Sequence, residues 1–343
     1  MKTAIILFNL GGPDRPESVR PFLFNLFNDR AIINLPGPLR WLIARWVSGR
    51  RAPVAREIYA RIGGASPILA NTRAQADALE QALGPDFKCF ITMRYWHPRA
   101  EAQVAAVTAW QPDRLLLVPL YPQFSSTTTA SSFREWRAAL LRSGLKAPVQ
   151  ALCCYPDQPG FVAAVAERIH GGLTQLLAGG KPPRLLFSAH GLPQKIVDAG
   201  DPYQWQVERS VAAVMAALDQ PGLDHVLCYQ SRVGPLQWLK PSTEAEIRRA
   251  GAEGVPLVVI PIAFVSEHSE TLVELDIEYR HLAEKHGVPA YIRVPTVDAL
   301  PAFIDGLATE IRRSLAGAAP ICSSQGGRVC PAASTLCTFT TGG

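Results

Sequence analysis

Five short, continuous hydrophobic runs constrain the fold of this chain more than any other feature. The runs are Ala4–Asn9, Arg114–Leu120, Arg184–Ser188, His225–Tyr229 and Leu257–Phe264, and segments with helical periodicity lie between them. Uninterrupted apolar runs of this length, bounded by Gly, Pro and polar residues, are typical of parallel strands that are buried on both faces. Their alternation with helical segments predicts a doubly wound α/β fold.

Two parts of the chain echo each other in sequence. The stretch LLLVPLYPQFS, which begins at Leu115, resembles LVVIPIAFVS, which begins at Leu257. Both have the pattern of a strand that ends in a proline-containing turn and then a polar segment. The echo predicts two similar lobes divided near residue 150. The alternative is that any buried strand followed by a turn has this pattern.

Composition narrows the class of protein. Hydrophobic residues make up 48% of the 343 residues and charged residues 18%, which provides a core for about two domains and argues against disorder. No uncharged apolar run reaches the roughly 18 residues that a membrane-spanning helix needs.

The net charge of +5 suits anionic lipid or an acidic small molecule as well as nucleic acid. Because no nucleic-acid-binding motif is present, we predict no nucleic-acid partner. The N-terminus lacks the long apolar segment of a secretory signal, which predicts a cytoplasmic location.

Two of the predicted strands end in side chains that can handle protons and cations. His190 comes just after Arg184–Ser188, where ligands bind in open α/β sheets. After the last run, carboxylates at positions i, i+3, i+7 and i+11 share one helical face; they are Glu267, Glu270, Glu274 and Glu278. Like charges at this spacing repel, so the pattern does not serve helix stability. It predicts a site for a hard divalent cation or a proton relay, with a solvated acidic face and a structural turn histidine as alternatives.

Other reactive patterns are weaker. The Gly-rich turns at Gly11-Gly12 and Gly63-Gly64 match neither a dinucleotide-binding fingerprint nor a Walker A loop. No G-x-S-x-G nucleophile elbow occurs in the chain. Cys228 has no clearly electropositive surroundings, which predicts a buried thiol.

A basic amphipathic helix is predicted near the N-terminus. Apolar residues recur there at helical spacing, flanked by arginines; they are Leu39, Leu42, Ile43, Trp46 and Val47. Such a helix, with Trp on its apolar side, is suited to lie on a membrane surface. The alternative is an ordinary surface helix that docks on the core.

Several specific stretches between about residues 4 and 312 resemble the ferrochelatases, which insert ferrous iron into a porphyrin to make haem. They are Asn9–Pro13, Tyr59–Ile68, Arg94–Pro98, Tyr121–Ser125, Phe187–Pro193, Gly200–Tyr203, Gln230–Pro235 and Phe264–Leu272. The resemblance implies two Rossmann-like lobes, each a parallel sheet flanked by helices, with the porphyrin cleft between them. We therefore expect an N-terminal lobe over residues 1–150, with a membrane-facing lip at about 31–51, a C-terminal lobe over 151–314, and a tail over 315–343.

The resemblance also implies where the reaction takes place. His190 matches the active-site histidine, and Glu270 matches the acidic residue that faces it across the porphyrin; this pair is expected to bind the metal. Two pyrrole protons must leave as Fe²⁺ enters, so a base with a pKa near neutral is needed at the centre of the macrocycle. Glu274 is expected to act with the catalytic pair. Together with Glu278 it is also expected to form a path along which protons or metal move between the site and solvent; we call this path the lane. Whether His190 accepts protons, binds iron or does both stays open.

Further residues are expected to hold the porphyrin because their motifs match. The aromatic side chains that would bend the macrocycle are Tyr95, Trp238 and Phe264, and the residues near the propionates or the cleft wall are Leu10, Arg51, Tyr59, Ser66 and Arg94. Family members that use coproporphyrin tend to carry Tyr where this chain has Leu10, so the resemblance predicts protoporphyrin IX as substrate. The alternatives are a coproporphyrin III ferrochelatase, a cobalt or nickel chelatase of similar fold, and a non-catalytic haem or metal carrier. The acidic lane favours the enzyme, since a carrier needs no exit for protons.

The tail contains a group of cysteines, namely Cys322, Cys330 and Cys337. Some ferrochelatases hold a [2Fe–2S] cluster by three C-terminal cysteines and one from the body of the protein, and a cluster of this kind needs four thiolates. The resemblance therefore implies a cluster here, with Cys154 or its neighbour Cys153 as the fourth ligand. The spacing is wider than in the animal enzymes, and a zinc site or a tail with incidental cysteines are the alternatives.

The expected partners follow from the same resemblance. They are protoporphyrin IX and Fe²⁺ as substrates, the inner face of a membrane as a peripheral contact, and a second copy of the chain in a homodimer.

Overall fold

The computed structural model describes residues 1–176, 181–231 and 236–338, and these form two parallel β-sheets flanked by helices. The first sheet contains β1 (Thr3–Asn9), β2 (Phe87–Met93), β3 (Arg114–Pro119), β4 (Val149–Leu152) and β9 (Ile321–Cys322), in the order β2-β1-β3-β4-β9. The second contains β5 (Arg184–His190), β6 (His225–Gln230), β7 (Leu257–Pro261) and β8 (Tyr291–Arg293), in the order β6-β5-β7-β8. Neighbouring strands pair in parallel throughout these sheets, which confirms the predicted α/β class.

Helices cover both sheets. In the N-terminal lobe they are α1 (Val19–Phe27), α2 (Gly37–Ala60), α3 (Ile68–Leu83), α4 (Ala100–Trp110) and α5 (Thr129–Ser143). The second half contains α6 (Pro159–Leu176), α7 (Gln194–Asp198), α8 (Tyr203–Leu218), α9 (Thr243–Glu253), a π-helix (Glu270–Glu278), α10 (Tyr279–Lys285) and α11 (Pro301–Ala316). A short 3₁₀ turn over Pro16–Ser18 precedes α1.

Four of the five predicted runs became central strands, because burying them removes water from few polar side chains, and the fifth, His225–Tyr229, became the edge strand β6. All seven residues of β1 are buried, and so are all five of β7. The strands that the runs did not predict are shorter or only half-buried: β2 carries the exposed Lys88, and β8 has three residues. The central strands bury apolar side chains on both faces, and each fully buried side chain stabilises the fold by about 1.5–3 kcal/mol. The central strands are therefore stabilised most.

The two strands that echo each other in sequence occupy equivalent places. Four strands of each sheet follow one order, β2-β1-β3-β4 in the first and β6-β5-β7-β8 in the second. In this correspondence β3, which contains Leu115, matches β7, which contains Leu257. The topology therefore supports two similar lobes.

The chain returns to the N-terminal lobe after the second sheet is complete. Helix α11 packs against α6 and α3, and β9 extends the first sheet by pairing with β4. The lobe boundary predicted at residue 150 falls inside β4 (Val149–Leu152), and the predicted tail begins in the last turn of α11 and then contributes β9 to the first sheet. Residues 232–235 of the Gln230–Pro235 motif, and residues 339–343 of the tail, lie outside the described residues.

Candidate active site

The ends of two adjacent strands bring the predicted catalytic pair together. His190 is the last residue of β5, which pairs with β7, and Glu270 begins the π-helix that follows the loop after β7. The distance from His190 Nε2 to Glu270 Oε1 is 3.6 Å. The two side chains keep 41% and 27% of their surface exposed, so a ligand can reach both of them. The two residues, each predicted to follow a strand, thus lie next to each other in the structure.

The backbone around His190 fixes which ring nitrogen faces the carboxylate. The Nδ1 atom lies 2.6 Å from the carbonyl oxygen of Gly191, so an Nδ1–H donates there and Nε2 is directed at Glu270. The hydroxyl of Tyr203 donates to the carbonyl of His190 at 3.1 Å. Tyr203, which opens α8, thus helps to hold the strand end that carries the imidazole.

A second histidine, to which the sequence analysis gave no role, lies on the other side of Glu270. His268 Nε2 is 3.5 Å from Glu270 Oε2, and the His268 ring is 95% buried beneath Phe264, with ring centroids 4.6 Å apart. Its Nδ1 atom lies 3.2 Å from the carbonyl oxygen of Ser266. Both imidazole contacts are long, and Glu270 Oε2 is buried with no hydrogen-bond donor among the described residues. The only signal for His268 in the sequence was its place in the Glu-His-Ser-Glu stretch.

Charge dominates the protonation states of the pair. Burial disfavours the His190 imidazolium, but the negative charge of Glu270 outweighs it and raises the pKa of His190 to about 9. Burial likewise opposes ionisation of Glu270, yet the charges of His190 and His268 lower its pKa. Without substrate the pair is therefore an imidazolium facing a carboxylate over the physiological pH range.

The acidic row predicted from sequence is shorter than expected. Glu267 lies before the helix, where it accepts hydrogen bonds from Arg293 and from the backbone N–H of Thr296, so it does not belong to the row. Glu270 and Glu278 are the first and last residues of the helix, which is a π-helix rather than the α-helix implied by the spacing. Such wide turns are uncommon and occur often at functional sites.

Glu274 is the most strongly held carboxylate of this row. It accepts hydrogen bonds from the Ser231 backbone N–H at 2.8 Å, from Gln230 Nε2 at 3.1 Å and from the Tyr279 hydroxyl at 2.9 Å. The Ser231 hydroxyl also contacts it. Burial, together with the charge of Glu270, raises the pKa of Glu274 above its usual range. A carboxyl group with this pKa can exchange a proton with its surroundings more readily than an ordinary surface glutamate.

The predicted porphyrin-binding residues do not all lie beside the catalytic pair. Phe264 is nearest, with its ring centroid 6.5 Å from that of His190. Buried Tyr59 belongs to the N-terminal lobe, and the Ser269 hydroxyl, next to Glu270, donates to its hydroxyl at 3.3 Å. Half-buried Trp238 forms a β-bridge with Pro193, just beyond the strand end that carries His190.

Three more of these residues lie in the N-terminal lobe. Leu10 packs on the apolar cluster that contains Tyr59. Ser66 lines a cavity of about 520 Å³ whose walls do not include the catalytic pair. Arg51 is exposed, with its guanidinium 5.8 Å from the ring centroid of Phe27.

Arg94 and Tyr95 are held by a carboxylate that the sequence analysis missed. Asp29 accepts hydrogen bonds from Arg94 Nη2 at 2.8 Å and from the Tyr95 hydroxyl at 2.9 Å, and it is 94% buried. Arg94 also donates to Glu135 at 3.1 Å and to Ser131 at 2.9 Å. Its guanidinium therefore already has anionic partners, which differs from the expected contact with a propionate. No local pattern marks Asp29, because its partners are distant in the sequence.

Comparison with known proteins identifies the family. The ferrochelatase family model matches residues 2–315. A ferrochelatase of Caulobacter vibrioides is 50% identical to this chain over 98% of it and 97% of the relative, and one of Phenylobacterium zucineum is 52% identical over 100% and 99%. The chain belongs to the ferrochelatase family. The predicted enzyme class, a lyase that inserts iron into a porphyrin in haem synthesis, is thereby confirmed.

Solved structures bear out the fold of this ferrochelatase-family chain. The sirohydrochlorin chelatase SirB from Bacillus subtilis subspecies spizizenii, in complex with cobalt, aligns with a TM-score of 0.54 over 92% of this chain and 95% of its own. SirB from Bacillus subtilis with Fe³⁺ aligns with a TM-score of 0.51 over 92% and 96%. At 12% identity in each case, the likeness concerns the fold alone.

In this family member, four cysteines gather where the tail meets the body. The sulfur atoms of Cys153 and Cys154 are 3.4 Å apart, Cys154 hydrogen-bonds to Cys330, and Cys330 hydrogen-bonds to Cys337. The thiols of Cys154 and Cys337 donate to the Cys330 sulfur and lower its pKa to about 3. Gln206 Nε2 also donates to that sulfur, at 3.1 Å. We call these four residues the thiol group.

Cys322 is placed apart from the thiol group, although the sequence analysis had included it among the cluster ligands. Its sulfur lies 2.9 Å from Ser314 Oγ, and it contacts the carbonyl of Ala151 at 3.5 Å. Pairing of β9 with β4 fixes this orientation. Among residues 1–176, 181–231 and 236–338, no three or more His, Cys, Asp or Glu side chains are arranged to hold a single metal ion.

The predicted lip helix presents an apolar surface to solvent. Helix α2 begins at Gly37, and its exposed apolar side chains include Leu39, Trp41, Leu42 and Trp46, the last with 67% of its surface accessible. Arg45 lies over the Trp41 ring at 5.6 Å from its centroid. No helix in the part of the chain that the structure describes is long and apolar enough to cross a membrane.

Proposed function

We propose that this chain inserts Fe²⁺ into protoporphyrin IX and that His190 and Glu270 are the catalytic pair. The observation that carries the proposal is the 3.6 Å separation between an exposed imidazole nitrogen and a carboxylate at adjoining strand ends. Metal insertion needs a base for pyrrole protons and ligands that bind Fe²⁺ and then release it. One imidazole and one carboxylate meet both needs better than thiolates, which bind iron more strongly.

The pair changes its protonation as substrates arrive. His190 starts as an imidazolium, and the charge of an incoming Fe²⁺ opposes that of the ring and drives the Nε2 proton away. The neutral Nε2 can then accept a pyrrole proton or hold the metal while the porphyrin takes it up. When the Nε2 proton and one pyrrole proton leave toward solvent and the other pyrrole proton returns to Nε2, two protons leave for each Fe²⁺ that enters and the net charge of the site is restored.

Glu274 and Glu278 extend the site toward solvent. Glu274 has a raised pKa and is the neighbouring carboxyl group, which suits it to take a proton from the pair. Glu278 closes the helix and is exposed, with 45% of its side-chain surface accessible. We infer that this row, from Glu270 through Glu274 to Glu278, is the lane along which protons leave and Fe²⁺ arrives.

Apolar and aromatic side chains near the pair support a porphyrin as the second substrate. The Phe264 ring lies next to the rings of both histidines. Trp238 forms a β-bridge with Pro193, which comes three residues after His190. Leu10 stands where family members that use coproporphyrin tend to carry Tyr, and this resemblance favours protoporphyrin IX over coproporphyrin III. Arg51 keeps its guanidinium exposed and is suited to a propionate.

An anaerobic optical titration tests this proposal. Purified protein is mixed with Fe²⁺ and either protoporphyrin IX or coproporphyrin III, and loss of the free-base bands is followed. We expect faster turnover of protoporphyrin IX and loss of turnover, with porphyrin binding retained, in Glu270→Gln. Preference for coproporphyrin III would overturn the substrate, and tight porphyrin binding without turnover would indicate a carrier.

We also propose that the thiol group holds a [2Fe–2S] cluster. Each iron of such a cluster takes two thiolates, so the ligands divide into pairs rather than surrounding one ion. Cys153 with Cys154 and Cys330 with Cys337 provide two such pairs, and the low pKa of Cys330 favours a thiolate. When bound, the cluster would supply a redox-active cross-link between the tail and the body.

Finally, we propose that the lip helix rests on the inner face of a membrane. Exposed Trp and Leu side chains beside arginines suit an anionic lipid surface. A lipophilic substrate and product make such a contact useful. The homodimer predicted from the family resemblance is the competing occupant of this surface.

A further inference from the structure

An ion pair spans the outer end of the acidic row. Arg61 Nη1 lies 3.4 Å from Glu278 Oε1, and the two side chains keep 47% and 45% of their surface exposed. Arg61 belongs to the N-terminal lobe and follows α2, whereas Glu278 is the last residue of the π-helix in the other lobe. The pair therefore lies between the lobes, at the solvent end of the row.

The backbone fixes Arg61 in this place. The next two glycines, Gly63 and Gly64, have φ of +87° and +85° and turn the chain sharply, and the N–H of Gly64 bonds to the carbonyl of Tyr59 at 2.8 Å. Tyr59 is buried and accepts the hydrogen bond from Ser269, one residue before the π-helix. One short segment of the N-terminal lobe thus touches the π-helix at both of its ends.

We propose that Arg61 gates cation access to the acidic row by competing with Fe²⁺ for Glu278. A guanidinium is always charged, so Glu278 has a cationic partner when no metal is present. An incoming Fe²⁺ must displace this partner to use the Glu278 carboxylate. Because the pair is exposed, its strength is small and the displacement is easy. The gate lowers the affinity of the row for cations without blocking it.

The inference rests on the proposed lane, and initial rates of haem formation test both. Fe²⁺ is varied anaerobically at saturating porphyrin, and then porphyrin is varied at saturating Fe²⁺. Arg61→Gln is expected to lower KM for Fe²⁺ by about twofold to fivefold, which corresponds to a surface ion pair. KM for the porphyrin should not change, and Arg61→Lys, which keeps the charge, should stay near the parent.

Two further variants separate the gate from general charge effects. Arg56→Gln removes an exposed arginine charge from the last turns of α2, just before Arg61, and should have little effect on KM for Fe²⁺. Glu278→Gln should raise KM for Fe²⁺, and in that background Arg61→Gln should do no more than Arg56→Gln.

The outcomes distinguish the two ideas. If Glu278→Gln raises KM for Fe²⁺ but Arg61→Gln does not lower it, the gate is wrong and the lane stands. If Glu278→Gln has no effect on KM for Fe²⁺, the lane does not include Glu278 and the gate fails with it. If Arg61→Gln changed only KM for the porphyrin, the gate would be wrong, and the role of Arg61 would be to hold the two lobes together through its ion pair with Glu278.

Discussion

Glu270 places its two carboxylate oxygens toward two different imidazoles, 3.6 Å from His190 and 3.5 Å from His268. The contact with His190 joins the ends of neighbouring strands β5 and β7, whereas His268 lies in the loop that leads to Glu270 itself. A single carboxylate thus contacts both rings, and its charge raises the pKa of His190. Its charge is therefore the natural target for a first test of the site.

Replacing Glu270 by Gln is expected to lower the pKa of His190 from about 9 toward its ordinary value of 6.5, because burial is then opposed only by the Gly191 carbonyl and the charge of Glu274. The imidazole signals of His190, followed by NMR across a pH series, measure this directly. Since the folded-state pKa is raised, the pair stabilises the parent fully below about pH 6.5, and this contribution is lost as the pH rises through about 9.

Glu278→Gln is the matched control, because Glu278 is exposed and pairs with Arg61 instead. Its His190 titration should superimpose on that of the parent. An unchanged titration in Glu270→Gln would show that Glu270 does not govern the protonation of His190.

Asp29→Asn is expected to destabilise the fold by about 3 kcal/mol, because it removes one of the two carboxylates that pair with the half-buried Arg94 guanidinium and the charged acceptor of the Tyr95 hydroxyl. Urea unfolding at neutral pH measures the loss. Hydrogen bonds and the charge of Arg94 outweigh burial and lower the pKa of Asp29. The stabilisation is therefore present above about pH 3.8 and is lost as the pH falls through the lowered pKa, so the difference between parent and variant should shrink in acid.

Asp86→Asn gives the comparison at the surface. Asp86 pairs with the N-terminal amine at 3.3 Å, but both groups are more than half exposed. Its loss should cost less than about 1 kcal/mol. Equal losses in the two variants would contradict a structural role for the Asp29 contacts.

Cys330→Ser is expected to abolish the visible absorption of a [2Fe–2S] cluster, because Cys330 contacts two other members of the thiol group. Cys153→Ser should also weaken it. Cys322→Ser should retain it, since the Cys322 sulfur is directed at Ser314. Absorption and iron content of the anaerobically purified proteins are the readouts. A cluster that survives Cys330→Ser but not Cys322→Ser would restore the ligand set predicted from the sequence.

Trp46→Glu is expected to reduce binding to anionic vesicles at least tenfold, because it places a carboxylate at the most exposed apolar side chain of the lip. A loss of this size corresponds to about 1.4 kcal/mol. Cosedimentation with vesicles measures the partition, and sedimentation velocity shows whether the parent self-associates.

Leu141→Glu controls for charge, since Leu141 is 78% exposed on α5, outside the lip. Its vesicle binding should equal that of the parent. If Trp46→Glu left vesicle binding unchanged but dissociated a dimer, the surface would be an interface between two copies of the chain.

The hydrophobic runs predicted the central strands because continuous burial needs continuous apolar sequence, and this holds for β1, β5 and β7 whatever packs on them. Strands β2 and β8 were missed because they lie at sheet edges, where half-buried positions need no continuous apolar run. The helix after β7 was predicted with the wrong pitch. Four-residue spacing between glutamates does not distinguish an α-helix from a π-helix.

The fold class and the family could be predicted from the sequence, and so could the proposed catalytic pair, because these predictions depend on local patterns and on motif matches along the chain. Which side chains form ion pairs and hydrogen bonds with each other became visible only in the tertiary structure. It tied Arg94 to Asp29, removed Glu267 from the acidic row and added His268 to the site. It also placed Cys154, with its neighbour Cys153, against Cys330 and turned Cys322 toward Ser314. Such partners are brought together by the packing of distant segments, and a carboxylate or thiol carries no mark in the sequence of the group that it will meet.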